Sequence, residues 1–181
     1  SEVIANFGEP LVLPRTANEG DDEPFAEARM ISALCGGCRV TSIYAPNGRS
    51  VDSPFYRAKL LWFERLARWL RETRTRDEAL VVGGDYNVAP TDMDVWDARE
   101  CHGGTHVSPQ ERAAFAALTG WGLVDGYRQR HPEPGRYTWW DYRAGAFHKN
   151  LGMRIDHLLV TPVVAARIVA AEIDREARKG K

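Results

Sequence analysis

Residues 39–84 carry the pattern that most limits what this chain can fold into. A run rich in β-branched residues, Val40-Thr41-Ser42-Ile43-Tyr44, is followed by a long amphipathic stretch and then by Ala79-Leu80-Val81-Val82, which ends at Gly83-Gly84. Between the two runs, apolar residues fall at positions 60, 63, 66, 67 and 70, with Trp62 and Trp69 beside them and Arg, Lys and Glu largely on the other side. That spacing predicts a helix over 55–72. The final apolar run is short and unbroken, as in a strand buried on both faces. Strand, helix, strand is the crossover unit of α/β architecture.

Other segments extend the same sheet. Met30-Ile31-Ser32-Ala33-Leu34 and the run 40–44 flank Gly36-Gly37, a hairpin signal, and Ala45-Pro46-Asn47-Gly48 then turns the chain out. Ser108-Pro109-Gln110-Glu111 is a capping box with Pro at the first helical position, predicting a helix through Leu118 that closes at Gly120. Strands are expected over 137–142 and 155–160, the second stopped by Thr161-Pro162. The stretch 163–173 fits helix or strand equally, and the acidic, Gly- and Pro-punctuated stretch 15–27 reads as a surface loop. With 181 residues and no internal repeat, one mixed α/β domain is expected.

Composition matters mainly for what it excludes. At 44% hydrophobic and 27% charged residues the chain is neither disordered nor collagen-like, and it has no apolar run of about 18 residues. Lys and Arg number 24 against 25 Asp and Glu, so a polyanionic partner would need a local basic patch. The first residues, from Ser1 to Asn6, show no basic region followed by an apolar one, and three Cys suit a reducing compartment, so a cytoplasmic location is expected.

The chemistry concentrates at strand ends. In Gly84-Asp85-Tyr86-Asn87 a carboxylate and an amide follow a buried strand, where ligands of α/β sheets gather. The Gly pair would let backbone approach a ligand. If strand geometry persists, Asp85 and Asn87 share a face and could hold a hard cation or activate a water beside a phosphate. The alternative is that they only make a turn. In Arg154-Ile155-Asp156-His157, Asp156 lies within an apolar run and needs a partner. A His from elsewhere would suit it, since His157 points to the opposite face, and an ion pair with Arg154 is the alternative. Tyr44, before its turn, could present a phenol to the same sheet edge or simply pack. Tyr137-Thr138-Trp139-Trp140-Asp141-Tyr142-Arg143 could stack on bases and hold phosphates, or form a two-sided buried strand. Cys35-Gly36-Gly37-Cys38 has metal-ligand spacing, but the glycines already explain a turn. A zinc site would need Cys101 and His102 as well, and adjacent residues seldom share one tetrahedral ion. His102 and His106 lie in a Gly-rich loop and are expected to be solvated.

The order Tyr44-Ala45-Pro46-Asn47-Gly48, helix, Gly84-Asp85-Tyr86-Asn87-Val88-Ala89-Pro90-Thr91-Asp92, then Arg154-Ile155-Asp156, resembles the exonuclease III branch of the endonuclease/exonuclease/phosphatase superfamily. Ser108 to Arg112, Gly122-Leu123-Val124-Asp125 and Tyr137 to Arg143 follow in family order. The resemblance implies an αββα four-layer sandwich and Mg²⁺-dependent hydrolysis of DNA phosphodiesters, with Mn²⁺ as the alternative ion. It implies 3′ to 5′ exonuclease action and abasic-site incision in base excision repair, on double-stranded DNA that is abasic or has 3′ ends, by a monomer without membrane contact. By the same resemblance, Asp85 orients or deprotonates the attacking water, and Asn87 stabilises the phosphoryl oxygens. Both would hold the metal. Tyr44 contacts the scissile phosphate, Asp156 positions a catalytic His, and Trp139 and Arg143 meet the DNA. The family's metal-binding Asn and Glu on its first strands and its Ser-Asp-His motif have no counterpart here. An incomplete and nearly inactive sandwich is therefore expected. A phosphatase or esterase of the same superfamily and a non-catalytic DNA-binding remnant are the alternatives.

Overall fold

A computed structural model describes residues 2–8 and 28–178, so the acidic loop expected at 15–27 lies outside the described residues. Six strands form the main sheet. β1 (Val3–Ala5) pairs antiparallel with β2 (Met30–Cys35), and β2 with β3 (Cys38–Tyr44). Gly36 and Gly37 close that hairpin with φ of 55° and 82°, the two left-handed residues that a turn matching strand twist requires. α1 (Pro54–Thr73) then carries the chain over to β4 (Leu80–Asp85), parallel to β3.

α1 forms where its spacing predicts. Ser53 caps it, its hydroxyl accepting from Tyr56 N at 3.1 Å, and Pro54 opens the first turn. Its apolar stripe buries Trp62, Phe63, Leu66 and Leu70 against Met30, Ile43, Leu80 and Val82 of the sheet. Each such side chain contributes about 1.5–3 kcal/mol on burial. α2 (Pro109–Trp121) adds Phe115 and Leu118 to the same core, with the Ser108/Glu111 capping box formed. It ends at Gly122 rather than Gly120, because Gly122, at φ 128°, donates its N–H to the carbonyls of Leu118 and Thr119.

The sheet is completed by two later strands, β5 (Val124–Asp125) and β8 (Asp156–Val160), in the order β1-β2-β3-β4-β8-β5. A separate ribbon pairs β6 (Trp139–Trp140) with β7 (Gly152–Met153). The strand expected over 137–142 is shortened because the Asp141 carboxylate accepts from Arg143 N at 2.8 Å and turns the chain. The ambiguous stretch 163–173 holds the end of one helical turn, Pro162–Ala165, and irregular backbone after it. α1 and α2 cover one face of the large sheet, and the other displays exposed Ile31, Val40, Tyr44 and Leu158.

Candidate active site

Three adjacent strands bring their polar ends to one edge. Tyr44 and Asp85 are the last residues of parallel strands β3 and β4 and stand opposite each other. Asp156 is the first residue of β8, antiparallel to β4, and is paired with Asp85. Directly paired residues project on the same side of a sheet, so the register alone brings one phenol and two carboxylates together.

Asn87 joins them by a different route from strand alternation. The chain leaves β4, and Asn87 takes a left-handed φ of 53°. Its N–H donates to Asp85 Oδ1 at 2.7 Å, and its Nδ2 donates to Ala45 O at 2.9 Å and to Asp85 Oδ2 at 3.2 Å. The turn and the polar cluster are thus one structure. Asn47, in the turn after β3, donates its Nδ2 to Asn87 Oδ1 at 3.1 Å. Gly84 is required by the neighbouring strand: at φ 142°, a Cβ there would sit 2.0 Å from the Ile43 carbonyl oxygen. It permits the close approach of β3 and β4 that sets the cluster.

Beneath the cluster lies an ion pair that the sequence reading missed. Lys59 and Glu111 contact each other with both side chains fully buried. Lys59 Nζ also donates to Asn87 O at 2.6 Å and to Asn47 O at 3.3 Å. Glu111 accepts from His106 N at 2.9 Å and Ser108 Oγ at 2.6 Å. Burial pulls the Lys59 ammonium below its ordinary range, partly offset by Glu111. Burial works against ionised Glu111 too, but Lys59 and the Lys59, Ser108 and His106 hydrogen bonds more than offset it and hold the carboxyl low. One signal was available: Lys59 falls on the same stripe of α1 as Tyr56, Trp62, Phe63 and Leu66.

His106 corrects the expectation of a solvated loop. His102 is exposed, but the His106 ring donates from Nδ1 to Asn87 O at 2.6 Å. Burial, with the charge of Lys59, pushes its pKa down to about 4, so the ring is neutral at pH 7. The half-buried Trp139 ring lies 6.5 Å from it, centroid to centroid. Arg143 is exposed, pairs with Asp141 at 3.6 Å and lies over Tyr142.

Asp156 is half-buried, and Arg154 is not its partner. Arg154 precedes β8, and its guanidinium binds Asp94 at 2.7 Å and Asp125 at 2.8 Å. His157 turns to the opposite face, as expected, and donates from Nε2 to Val88 O at 2.7 Å. Asp156 instead faces Asp85. Burial pushes the Asp85 carboxyl up to about 6, with Asp156 adding to the rise and the Asn87 N–H opposing it. Two hard-oxygen carboxylates crowded in this way suit a divalent metal cation, whose remaining shell water and substrate phosphate can complete. Among the described residues, no third His, Cys, Asp or Glu completes a cluster with them. The Asn87 amide oxygen, expected as a metal ligand, accepts from Asn47 here.

Residues 5–178 match the Endonuclease/Exonuclease/phosphatase family. The chain is 32% identical to an exodeoxyribonuclease of Bacillus subtilis over 159 residues, 87% of this chain and 62% of that protein. It superposes on a 3′-5′ exonuclease (NExo) from Neisseria meningitidis with a TM-score of 0.83 and 41% identity, covering 88% of this chain and 62% of that one. An AP endonuclease from Archaeoglobus fulgidus gives a TM-score of 0.80 and 36% identity, over 88% and 63% of the two chains. The chain therefore spans a little over three-fifths of the length of these relatives.

Proposed function

The chain belongs to the endonuclease/exonuclease/phosphatase family, and from that membership we propose that it hydrolyses phosphodiesters of double-stranded DNA, as a 3′ to 5′ exonuclease and abasic-site endonuclease of the exonuclease III type. The observation that carries this reading is the convergence of Tyr44, Asp85 and Asp156 on one sheet edge, with Asn87 folded back against Asp85. In-line displacement at phosphorus needs an activated water and neutralisation of the charge that builds on the phosphoryl oxygens. Asp85 accepts the proton of the attacking water. A carboxylate whose pKa is raised to about 6 is a better base at neutral pH than an ordinary one. Tyr44, exposed at the rim, donates its phenol to the scissile phosphate, and the Asn87 amide orients the phosphoryl oxygens. Asp85 and Asp156 would together hold Mg²⁺ or Mn²⁺, which supplies charge neutralisation at the phosphate when bound. Trp139 and Arg143 face the DNA beside the cleaved bond.

The test is cleavage, by this chain, of one duplex with an abasic site and another with a recessed 3′ end. Each is assayed with Mg²⁺, with Mn²⁺ and with chelator, and Asp85→Asn serves as the control. Metal-dependent cleavage that the substitution removes supports the proposal. Duplex binding without turnover under every condition would favour a non-catalytic DNA-binding role. Turnover unaffected by Asp85→Asn would overturn the site assignment.

A further inference from the structure

One feature of the sequence has no part in the polar cluster: the Cys-Gly-Gly-Cys tip of the β2–β3 hairpin, at the end of β3 remote from Tyr44. Cys35 and Cys38 are directly opposite in the strand register, so their side chains leave the sheet on the same face. Opposed residues of an antiparallel pair have Cα atoms about 4.5–5.5 Å apart, inside the roughly 4.4–6.8 Å that a disulfide spans. Both are free thiols, Cys35 exposed and Cys38 partly exposed. A stable zinc site is a poor alternative, because among the described residues no third His, Cys, Asp or Glu joins them. Cys101 is buried in a separate apolar cluster with Ala89, Val95 and Ile155.

We propose that Cys35 and Cys38 form a dithiol modification site, which small disulfides of the glutathione type oxidise to an intramolecular disulfide. One cysteine gives its proton to solvent, and its thiolate attacks a sulfur of the small disulfide. That S–S bond breaks, a mixed disulfide forms, and one small thiolate leaves and takes up a proton. The second cysteine, deprotonated in turn, attacks the protein sulfur of the mixed disulfide and expels the other small thiolate. Two electrons pass from the cysteines to the small disulfide, giving one protein disulfide and two small thiols. The Gly36-Gly37 turn already holds the two residues opposite each other, so the second attack is made on a neighbour. This site is independent of the proposed nuclease function.

The full chain is incubated with oxidised glutathione, quenched with iodoacetamide, unfolded, alkylated with N-ethylmaleimide, digested and weighed. The expected result is a peptide containing both Cys35 and Cys38, unalkylated and lighter by two hydrogen atoms, with Cys101 alkylated only after unfolding. Cys35→Ser and Cys38→Ser should each retain a glutathione adduct on the remaining thiol, because nothing is left to resolve it. A persistent adduct in the unsubstituted chain, disulfide-linked dimers in place of the internal bond, or thiols unmodified in all three proteins would each overturn the proposal.

Discussion

Lys59 on α1 and Glu111 on α2 form a fully buried ion pair whose ammonium also holds the carbonyl oxygen of Asn87 at 2.6 Å. The pair ties both helices to the turn that follows β4. Glu111 serves twice, closing the capping box of its own helix and neutralising a lysine on another. Breaking a buried pair from one side leaves an uncompensated charge and costs about 3–5 kcal/mol. Lys59→Met and Glu111→Gln are each expected to destabilise the fold by about that amount in urea denaturation. The double substitution is expected to cost clearly less than the sum of the two.

Gly84 is where the backbone tolerates no side chain. Its φ of 142° and the 2.0 Å that would separate a Cβ from Ile43 O leave no relaxation short of parting β3 from β4. Gly84→Ala is expected to cost more than about 3 kcal/mol. Gly36, left-handed but with open space around it, is expected to cost only about 1–2 kcal/mol as Ala. Thermal midpoints of the two variants, measured side by side, check the difference.

Acid should unfold the protein through the Arg154 network. Burial works against both carboxylates. Even so, Arg154 with the Thr91 and Arg128 hydrogen bonds holds Asp94 low, and His157 with Arg154 holds Asp125 well below the usual range. A carboxyl depressed in the folded state contributes stability that is fully present above its unfolded pKa, about 3.9. That contribution is lost as pH falls through the lower folded values. Midpoints recorded from pH 7 down to pH 3 should therefore drop most steeply below about pH 4. Asp125→Asn should flatten that limb while lowering stability at pH 7.

Asp85 sits in an environment that costs the fold stability. Its half-buried carboxylate faces Asp156 across the strand pair. Without divalent metal, Asp85→Asn at neutral pH is expected to stabilise the fold by about 1 kcal/mol after allowance for solvent screening. That corresponds to a rise of about 2–4 °C in melting temperature. The same substitution is expected to reduce cleavage at least ~100-fold. Melting in chelator and cleavage in Mg²⁺, on one preparation, measure both.

Local signals in the sequence were sufficient for local structure. Gly36-Gly37 marked the hairpin, the stripe at 60, 63, 66, 67 and 70 marked α1, and Ser108 with Glu111 marked the start of α2, because each is decided by neighbours within one or two turns of chain. Asp85 and Asn87 were legible as a pair, but not their means of meeting. Strand alternation gives the same pairing as a turn, and only the left-handed φ of Asn87 distinguishes them. Partners far apart in the chain were not legible. Nothing near Arg154 points to Asp94 or Asp125, and nothing near His106 says that its ring turns inward to Asn87. At position 84 a strand packed against a glycine and an approaching ligand leave the same mark in a sequence, and only the backbone shows how close Ile43 comes.

The pairing of Tyr44, Asp85 and Asp156 makes the cluster a test of assembly. These residues come from well-separated parts of the chain and meet only when β4 has joined β3 on one side and β8 on the other, each in its final alignment. A slip of one position along either strand would send the moved residue to the opposite side of the sheet. The β2–β3 hairpin carries Tyr44, but neither it nor an isolated helix brings the two carboxylates to that phenol. Such long-range pairings form slowly. Cleavage of the kind proposed, followed during refolding, should thus trail the return of helical signal and report only molecules whose sheet has closed completely.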